Sequence, residues 1–437
     1  MQDLWAELNN EPVPQGPTIH EPSRHRRLTE QVILSSLRDW LLRDYVLPYC
    51  GALSATRIYR RCYWIDALGA IETRAAHASS ESNTHNHPET PARQAKSGKK
   101  DSSLPIAPAL QPIATLTDLL ARESKPITLH GILLEAGSSK RKEARAAATG
   151  NGTNKPGTNQ AKDAAILPGK SSIVRASWLE MGTDVLNLVD QSPAIFLLNP
   201  FGHTLFTYDD LAPLYQRTTP TELCLFISHK QVMAHLAASR DATALTALLR
   251  SDRWKVLSTN DEEVEGTIEG VIDLFIASMQ RHFLPVQRIA FPVQVRPAVI
   301  ETVPYTLIFA TRRQDSLAAM NDAVCLYRRR LYKQSHRGVL GEEWFATQQQ
   351  ERFEEEIQQL YSRTLQQGHA RRVRRWPDLR QQLLNANFGR YTIPEYDEVI
   401  QQLLINGAVR CNWRRRPMAI EGEEQPVPGN DDTLTWQ

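Results

Sequence analysis

Cysteine is scarce in this chain and scattered where it occurs. The five residues Cys50, Cys62, Cys224, Cys325 and Cys411 are spread over 437 positions, and no two stand at metal-ligand spacing. Such a set supports neither a disulfide framework nor a thiolate metal site, so reduced thiols and a cytoplasmic setting are expected. Long apolar runs are also missing. No window approaches the roughly 18 apolar residues of a membrane span. The first residues, with Asp3 and Glu7, contain no apolar segment of a secretory signal. Charge of one sign is lacking too: 51 Lys and Arg stand against 49 Asp and Glu. A net charge of +2 gives the chain as a whole no electrostatic pull toward nucleic acid. His85-Asn86-His87 offers two alternate histidines without a fixed third ligand, so no metal site is expected. Gly169-Lys170-Ser171 imitates the end of a phosphate-binding loop, but Ala164 stands where that motif needs its first glycine, and no strand precedes it.

What is present is the composition of an ordinary folded protein, 41% hydrophobic and 23% charged, in a chain long enough for two or three domains. Residues 29–40 carry apolar side chains at helical spacing (Val32, Ile33, Leu37, Trp40). Short apolar runs then alternate with helix-period segments. Tyr63-Trp64-Ile65 ends at Asp66, and the run 127–134 ends at Glu135. Residues 172–176, 194–198 and 221–227 are three further strand candidates. Helical spacing predicts helices over 178–189, 229–250 and 265–281. The last two strand candidates, 289–295 and 305–310, lie only about nine residues apart around a Pro-containing loop, too close for a parallel crossover, and should pair antiparallel.

Such alternation predicts an α/β fold with helices on both faces of the sheet. The expected form is a Rossmann-like sheet of the class I methyltransferase type, mainly parallel with an antiparallel last strand, over residues 24–335. Residues 1–23 are expected as an N-terminal arm. The polar, low-complexity stretches at about 77–112 and 148–170 are expected as flexible insertions. From about residue 340 the pattern changes to long helices, with Trp376-Pro377 and Ile393-Pro394 as helix starts and Gly407 as a stop. A short strand near 408–413 and Arg414-Arg415-Arg416 follow. This predicts a small, mainly helical, winged-helix-like domain to residue 420, and a tail over 421–437.

The most informative stretch is Asn199-Pro200-Phe201-Gly202, directly after the apolar run 194–198. In open α/β sheets, ligands bind beyond the carboxyl ends of such strands. The stretch looks like the catalytic loop of amino-group methyltransferases. There a side-chain amide or carboxylate and a Pro carbonyl accept hydrogen bonds from the target amine, and an aromatic ring packs on it. Asn199, Pro200 and Phe201 are therefore the catalytic candidates; the alternative is a turn that caps the next helix. Glu135, ending the second strand, is placed to accept ribose hydroxyls. Asp66 would orient the amino-acid part of S-adenosylmethionine, or a loop amide, with Gly69 in the adjoining turn.

Three basic runs stand in the C-terminal half: Arg328-Arg329-Arg330, Arg371-Arg372 with Arg374-Arg375, and Arg414-Arg415-Arg416. Clustered Arg can neutralise phosphates. The first and last runs are the nucleic-acid candidates, because the helix beginning near 393 carries Glu395, Asp397 and Glu398, which would repel a phosphate backbone.

Together these places resemble the three-Cys-motif partner proteins, a methyltransferase-like family. The resemblance rests on the opening helix, Ile65-Asp66, Leu133-Leu134-Glu135, Leu197 to Gly202, and Tyr305 to Ala310 leading to Met320-Asn321-Asp322. It implies S-adenosylmethionine as cofactor and a three-cysteine, radical-SAM-like protein as partner. The family's loop after the first strand reads Asp-x-Phe-Ala-Gly-x-Gly; here Ala70 and Glu72 stand in place of its two glycines, and Asn199 stands where the family usually has Asp. Two functions follow as expectations. One is a methyltransferase acting on a nucleic-acid amine or another planar amine. The other is a degenerate Rossmann scaffold joined to a winged-helix module for protein or nucleic-acid binding.

Overall fold

The computed structural model describes residues 30–69, 107–135, 169–257, 264–296, 299–337, 341–414 and 426–437. The N-terminal arm and nearly all of both low-complexity stretches lie outside these residues.

Helix α1 (Glu30–Trp40) continues through a π-helical turn (Leu41–Val46) into α2 (Leu47–Ala55). Helical spacing marked only the first of these. The π-turn buries Leu41, Leu42, Tyr45 and Val46 on a wide face, which blurs the 3.6-residue period, and Pro48 in the first turn of α2 removes a backbone donor there. Seven strands follow: β1 (Arg61–Asp66), β2 (Thr128–Leu134), β3 (Ser172–Val174), β4 (Ala194–Leu198), β5 (Thr221–Ser228), β6 (Val286–Arg296) and β7 (Val299–Ala310). They form one sheet in the order β3-β2-β1-β4-β5-β7-β6. The first five are mutually parallel, and β7 runs antiparallel between β5 and β6. The fold is thus mixed α/β, with a mostly parallel sheet and a helical C-terminal region.

The stretch expected as an insertion to residue 112 is structured from Ala107, where a 3-10 turn (Pro108–Leu110) leads into α3 (Gln111–Arg122). The last two strands are longer than their sequence signal. Prolines there read as breaks, but Pro292 lies on the edge strand at a register shift, where no neighbour needs its missing donor.

Alternation along the strands divides the core between two faces. Cys62, Trp64, Leu197, Cys224 and Phe226 pack toward α1, α2, α3 and α10 (Gln314–Ser335). Tyr63, Ile65, Phe196, Leu198 and Leu225 pack toward the other layer. That layer comprises α4 (Trp178–Val189), α5 (Tyr208–Gln216), α6 (His229–Ala237), α7 (Ala242–Leu249), α8 (Trp254–Leu257) and α9 (Val264–Met279).

The C-terminal region comprises α11 (Glu342–Arg371), α12 (Trp376–Ala386), α13 (Ile393–Ile405) and an antiparallel pair, β8 (Val409–Asn412) with β9 (Thr433–Trp436). Strand β9 lies within the stretch that sequence left as a tail. The first core cluster runs without interruption from α1 through α10 into Trp376, Leu379, Tyr391 and Tyr396. Met320-Asn321-Asp322 sits at that junction. The Asn321 Nδ2 donates to the Tyr391 carbonyl (2.7 Å), and its Oδ1 accepts the Gly389 N–H (2.8 Å). The Ile393 N–H donates to Asp322 Oδ1 (2.9 Å). These residues clasp the turn between α12 and α13 onto α10.

Candidate active site at the carboxyl edge of the sheet

Register places three of the candidates on one edge. Asp66, the last residue of β1, stands opposite Leu133 of β2 and Leu197 of β4. Glu135 and Asn199 are the first residues beyond those two neighbouring strands. The strand order reverses at β1 and β4, the kind of switch point beyond which open α/β sheets bind ligands.

Asp66 is 1% exposed and its carboxylate is fully engaged. Arg38 of α1 donates from Nε to Oδ2 (2.5 Å) and from Nη2 to Oδ1 (3.2 Å). The Leu68 N–H donates to Oδ1 (3.0 Å), and Arg38 Nη2 also reaches the Gly69 carbonyl (2.6 Å). Of the two roles expected for Asp66, the loop-amide role is the one the geometry displays. Gly69 adopts φ +69°, a left-handed conformation that glycine takes without strain. Ala70 and Glu72 lie outside the described residues.

Glu135 and Asn199 share another property. The Glu135 N–H is tied to the Val174 carbonyl (2.8 Å), while its Oε1 is buried without a hydrogen-bond partner among the described residues. Asn199 donates from Nδ2 to Gln231 Oε1 (2.9 Å), and its Oδ1 is likewise buried and unpaired among the described residues. An unsatisfied buried acceptor costs about 1–3 kcal/mol, and each needs an explanation. The two stand just beyond neighbouring strands on the carboxyl edge of the sheet.

The loop after β4 is held from several sides. The Gly202 N–H donates to the Asn199 carbonyl (3.1 Å), and the Phe206 N–H donates to the Pro200 carbonyl (3.0 Å). His235 of α6 bridges the Gly202 carbonyl, through Nε2 at 2.8 Å, and Asp241 Oδ2, through Nδ1 at 2.8 Å. Phe201 departs from its expected role. Its ring is 0% exposed and packs edge-on against Phe275, with centroids 5.5 Å apart, so it is a core side chain and does not present a face to a substrate. The Pro200 carbonyl keeps one lone pair free of the Phe206 bond.

Sequence reasoning missed the supporting residues. Gln231 and His235 stand at i and i+4 on α6, directly after β5, and that spacing was the available signal. Arg38 gave no signal, because one Arg on an amphipathic helix looks the same whether solvated or buried.

The described arginine candidates lie elsewhere and have partners within the chain. Arg328 donates from Nη1 to the Gly389 carbonyl (3.1 Å). Arg329 forms a bidentate pair with Glu395 at 2.6 and 2.8 Å. Arg330 pairs with Asp44 of the π-turn. Arg329 and Arg330 thus tie α10 to its neighbours. Arg414 is exposed and pairs with Asp431 (3.2 Å). Arg415 and Arg416 lie outside the described residues. Among the described residues, no group of three potential ligands could hold a metal ion, and no helix is long and apolar enough to cross a membrane.

No family model, curated protein or solved structure matches the chain.

Proposed function

We propose that the chain is a methyltransferase-like protein of the three-Cys-motif partner kind. In this reading it transfers a methyl group from S-adenosylmethionine to an amino group of nucleic acid or another planar amine, with a three-cysteine, radical-SAM-like protein as partner. The observation that carries this is the pair of orphaned acceptors, Glu135 Oε1 and Asn199 Oδ1. They flank strand β1 in a mostly parallel sheet that ends in an antiparallel pair, a layout like that of the class I methyltransferase fold. The residues fit the cofactor: Glu135 would accept its ribose hydroxyls, and among the described residues nothing lies within 4 Å of where a Cβ at Gly69 would stand. When bound, S-adenosylmethionine supplies a methyl group on a cationic sulfonium.

The chain's own residues hold the amine. Gln231 fixes the Asn199 amide through Nδ2, which leaves Oδ1 as its unpaired acceptor among the described residues. That oxygen accepts one amine N–H, and the remaining lone pair of the Pro200 carbonyl can accept the other. This arrangement aims the nitrogen lone pair without a shifted pKa, which is catalysis by orientation.

Two observations favour a second reading, a Rossmann scaffold without catalysis. Asp66 is already neutralised by Arg38, and Phe201 is withdrawn into the core. The separating experiment measures methyl transfer from labelled S-adenosylmethionine to nucleic acid and to small planar amines, with Asn199→Ala as the comparison. Transfer by the wild-type chain, lost in Asn199→Ala while cofactor affinity is kept, supports the enzyme. Transfer unaffected by that substitution refutes the role given to Asn199, and absence of both transfer and cofactor binding leaves the scaffold.

A further inference from the structure

A second recess lies away from the carboxyl edge, where α10, α11 and the α12–α13 turn meet. It is a cavity of about 310 Å³, near the small end for small-molecule sites. Four of its lining residues are arginines: Arg328 and Arg329 from α10, Arg352 from α11, and Arg390 from the turn. Phe353 and Glu356 also line it.

The charges in this recess do not balance. Arg329 is matched by Glu395 and lies over the Phe353 ring at 4.9 Å. Arg390 is matched by Glu356 at 3.1 Å. Arg328 has no carboxylate partner among the described residues; its one polar contact is the Gly389 carbonyl. Arg328 is exposed by surface area, and its partial burial lowers the guanidinium from its usual value. Arg352 has neither a hydrogen bond nor an ion pair among the described residues. Two exposed guanidinium groups therefore line this open recess, and neither has an ion pair among the described residues.

The turn at the back of the recess is rigid. Gly389 has φ +72°, and a Cβ there would meet Val324 Cγ1 at 2.6 Å. Its N–H is held by Asn321 and its carbonyl by Arg328. The wall is thus set by hydrogen bonds that do not depend on a ligand.

We propose that this cavity binds the terminal phosphate of a small phosphomonoester, held by Arg328 and Arg352. A phosphomonoester carries a charge of about −1.5 to −2 near neutral pH, which matches two uncompensated cations. The guanidinium fork suits phosphate oxygens in bidentate geometry. A phosphodiester backbone carries one charge per phosphate and would have to enter a recess bounded by Glu356. The site is separate from the carboxyl edge and does not rest on the methyltransferase reading.

The test is calorimetric titration of the full chain with inorganic phosphate and with a nucleoside 5′-monophosphate, alongside a single-stranded oligonucleotide lacking terminal phosphates. Saturable binding of the monoester is expected, weakened about tenfold or more in Arg352→Gln. Arg352 holds nothing else in place, so an unchanged melting temperature in that variant ties the loss to the site. Arg328→Gln provides a second arm and should weaken the same ligand. No saturation by phosphate or monoester up to about 10 mM overturns the proposal. So does equal affinity in Arg352→Gln. Oligonucleotide binding without monoester binding also overturns it, and would assign these arginines to a phosphodiester surface.

Discussion

Glu222 offers a quantitative check on the packing beneath the sheet. It lies near the start of β5, is 0% exposed, and faces α10 and the π-turn. Ser316 Oγ donates to its Oε2 (2.7 Å) and in turn accepts from the Tyr45 hydroxyl (2.8 Å), while Glu222 Oε1 has no partner. Burial pushes the carboxyl up to about 7; the Thr311 and Ser316 hydroxyls and the Arg313 guanidinium offset only part of that. The folded chain therefore holds this proton more tightly than the unfolded chain. A raised carboxyl contributes stability that is full below its ordinary value of 4.5 and is lost as pH rises through about 7. The loss between those limits is about 3 kcal/mol. Glu222→Gln keeps the shape and removes the titration. Denaturant unfolding of both proteins at pH 5 and pH 8 reads the difference. The variant should gain on the wild type by about 3 kcal/mol over that range. A stability difference that is the same at both pH values would refute the buried, protonated state.

Two further substitutions test other parts of the structure. Phe201→Ala should cost about 3–5 kcal/mol, because it empties a fully buried site against Phe275; an unchanged melting temperature would return Phe201 to a substrate-stacking role. Asn321→Ala leaves the Gly389 N–H and the Tyr391 carbonyl buried and unpaired, and should cost about 2–4 kcal/mol in chemical denaturation, with faster proteolysis in the α12–α13 turn. Wild-type resistance in that turn would mean the clasp is incidental.

Most of the sheet was legible because its strands obey simple local rules. The run 194–198 is continuous, apolar and closed by Asn199-Pro200, and β4 occupies those five residues. The edge residues Asp66, Glu135 and Asn199 could be named because a parallel sheet puts the ends of its strands on one side. What sequence could not show was pairing at a distance. Phe201 looked like a ring available to a substrate, and only the packing of α9 decides that it is core. The Arg328-Arg329-Arg330 run looked like a phosphate-binding face. Its partners Gly389, Glu395 and Asp44 stand 61, 66 and 286 residues away, beyond any local pattern. Strand β9 was invisible for the same reason, since Thr433–Trp436 is a strand only beside β8.

The most direct measurement of the central claim is calorimetric titration of S-adenosylmethionine into the purified chain and into Glu135→Gln. Gln keeps the volume of the side chain but presents a donor where the ribose hydroxyls need acceptors. The account predicts saturable binding to the wild-type chain, weakened by about 2 kcal/mol, roughly thirtyfold, in the variant. Binding of equal strength to both proteins, or no binding at millimolar cofactor, would contradict it and turn attention to the arginine-lined recess and the C-terminal helices.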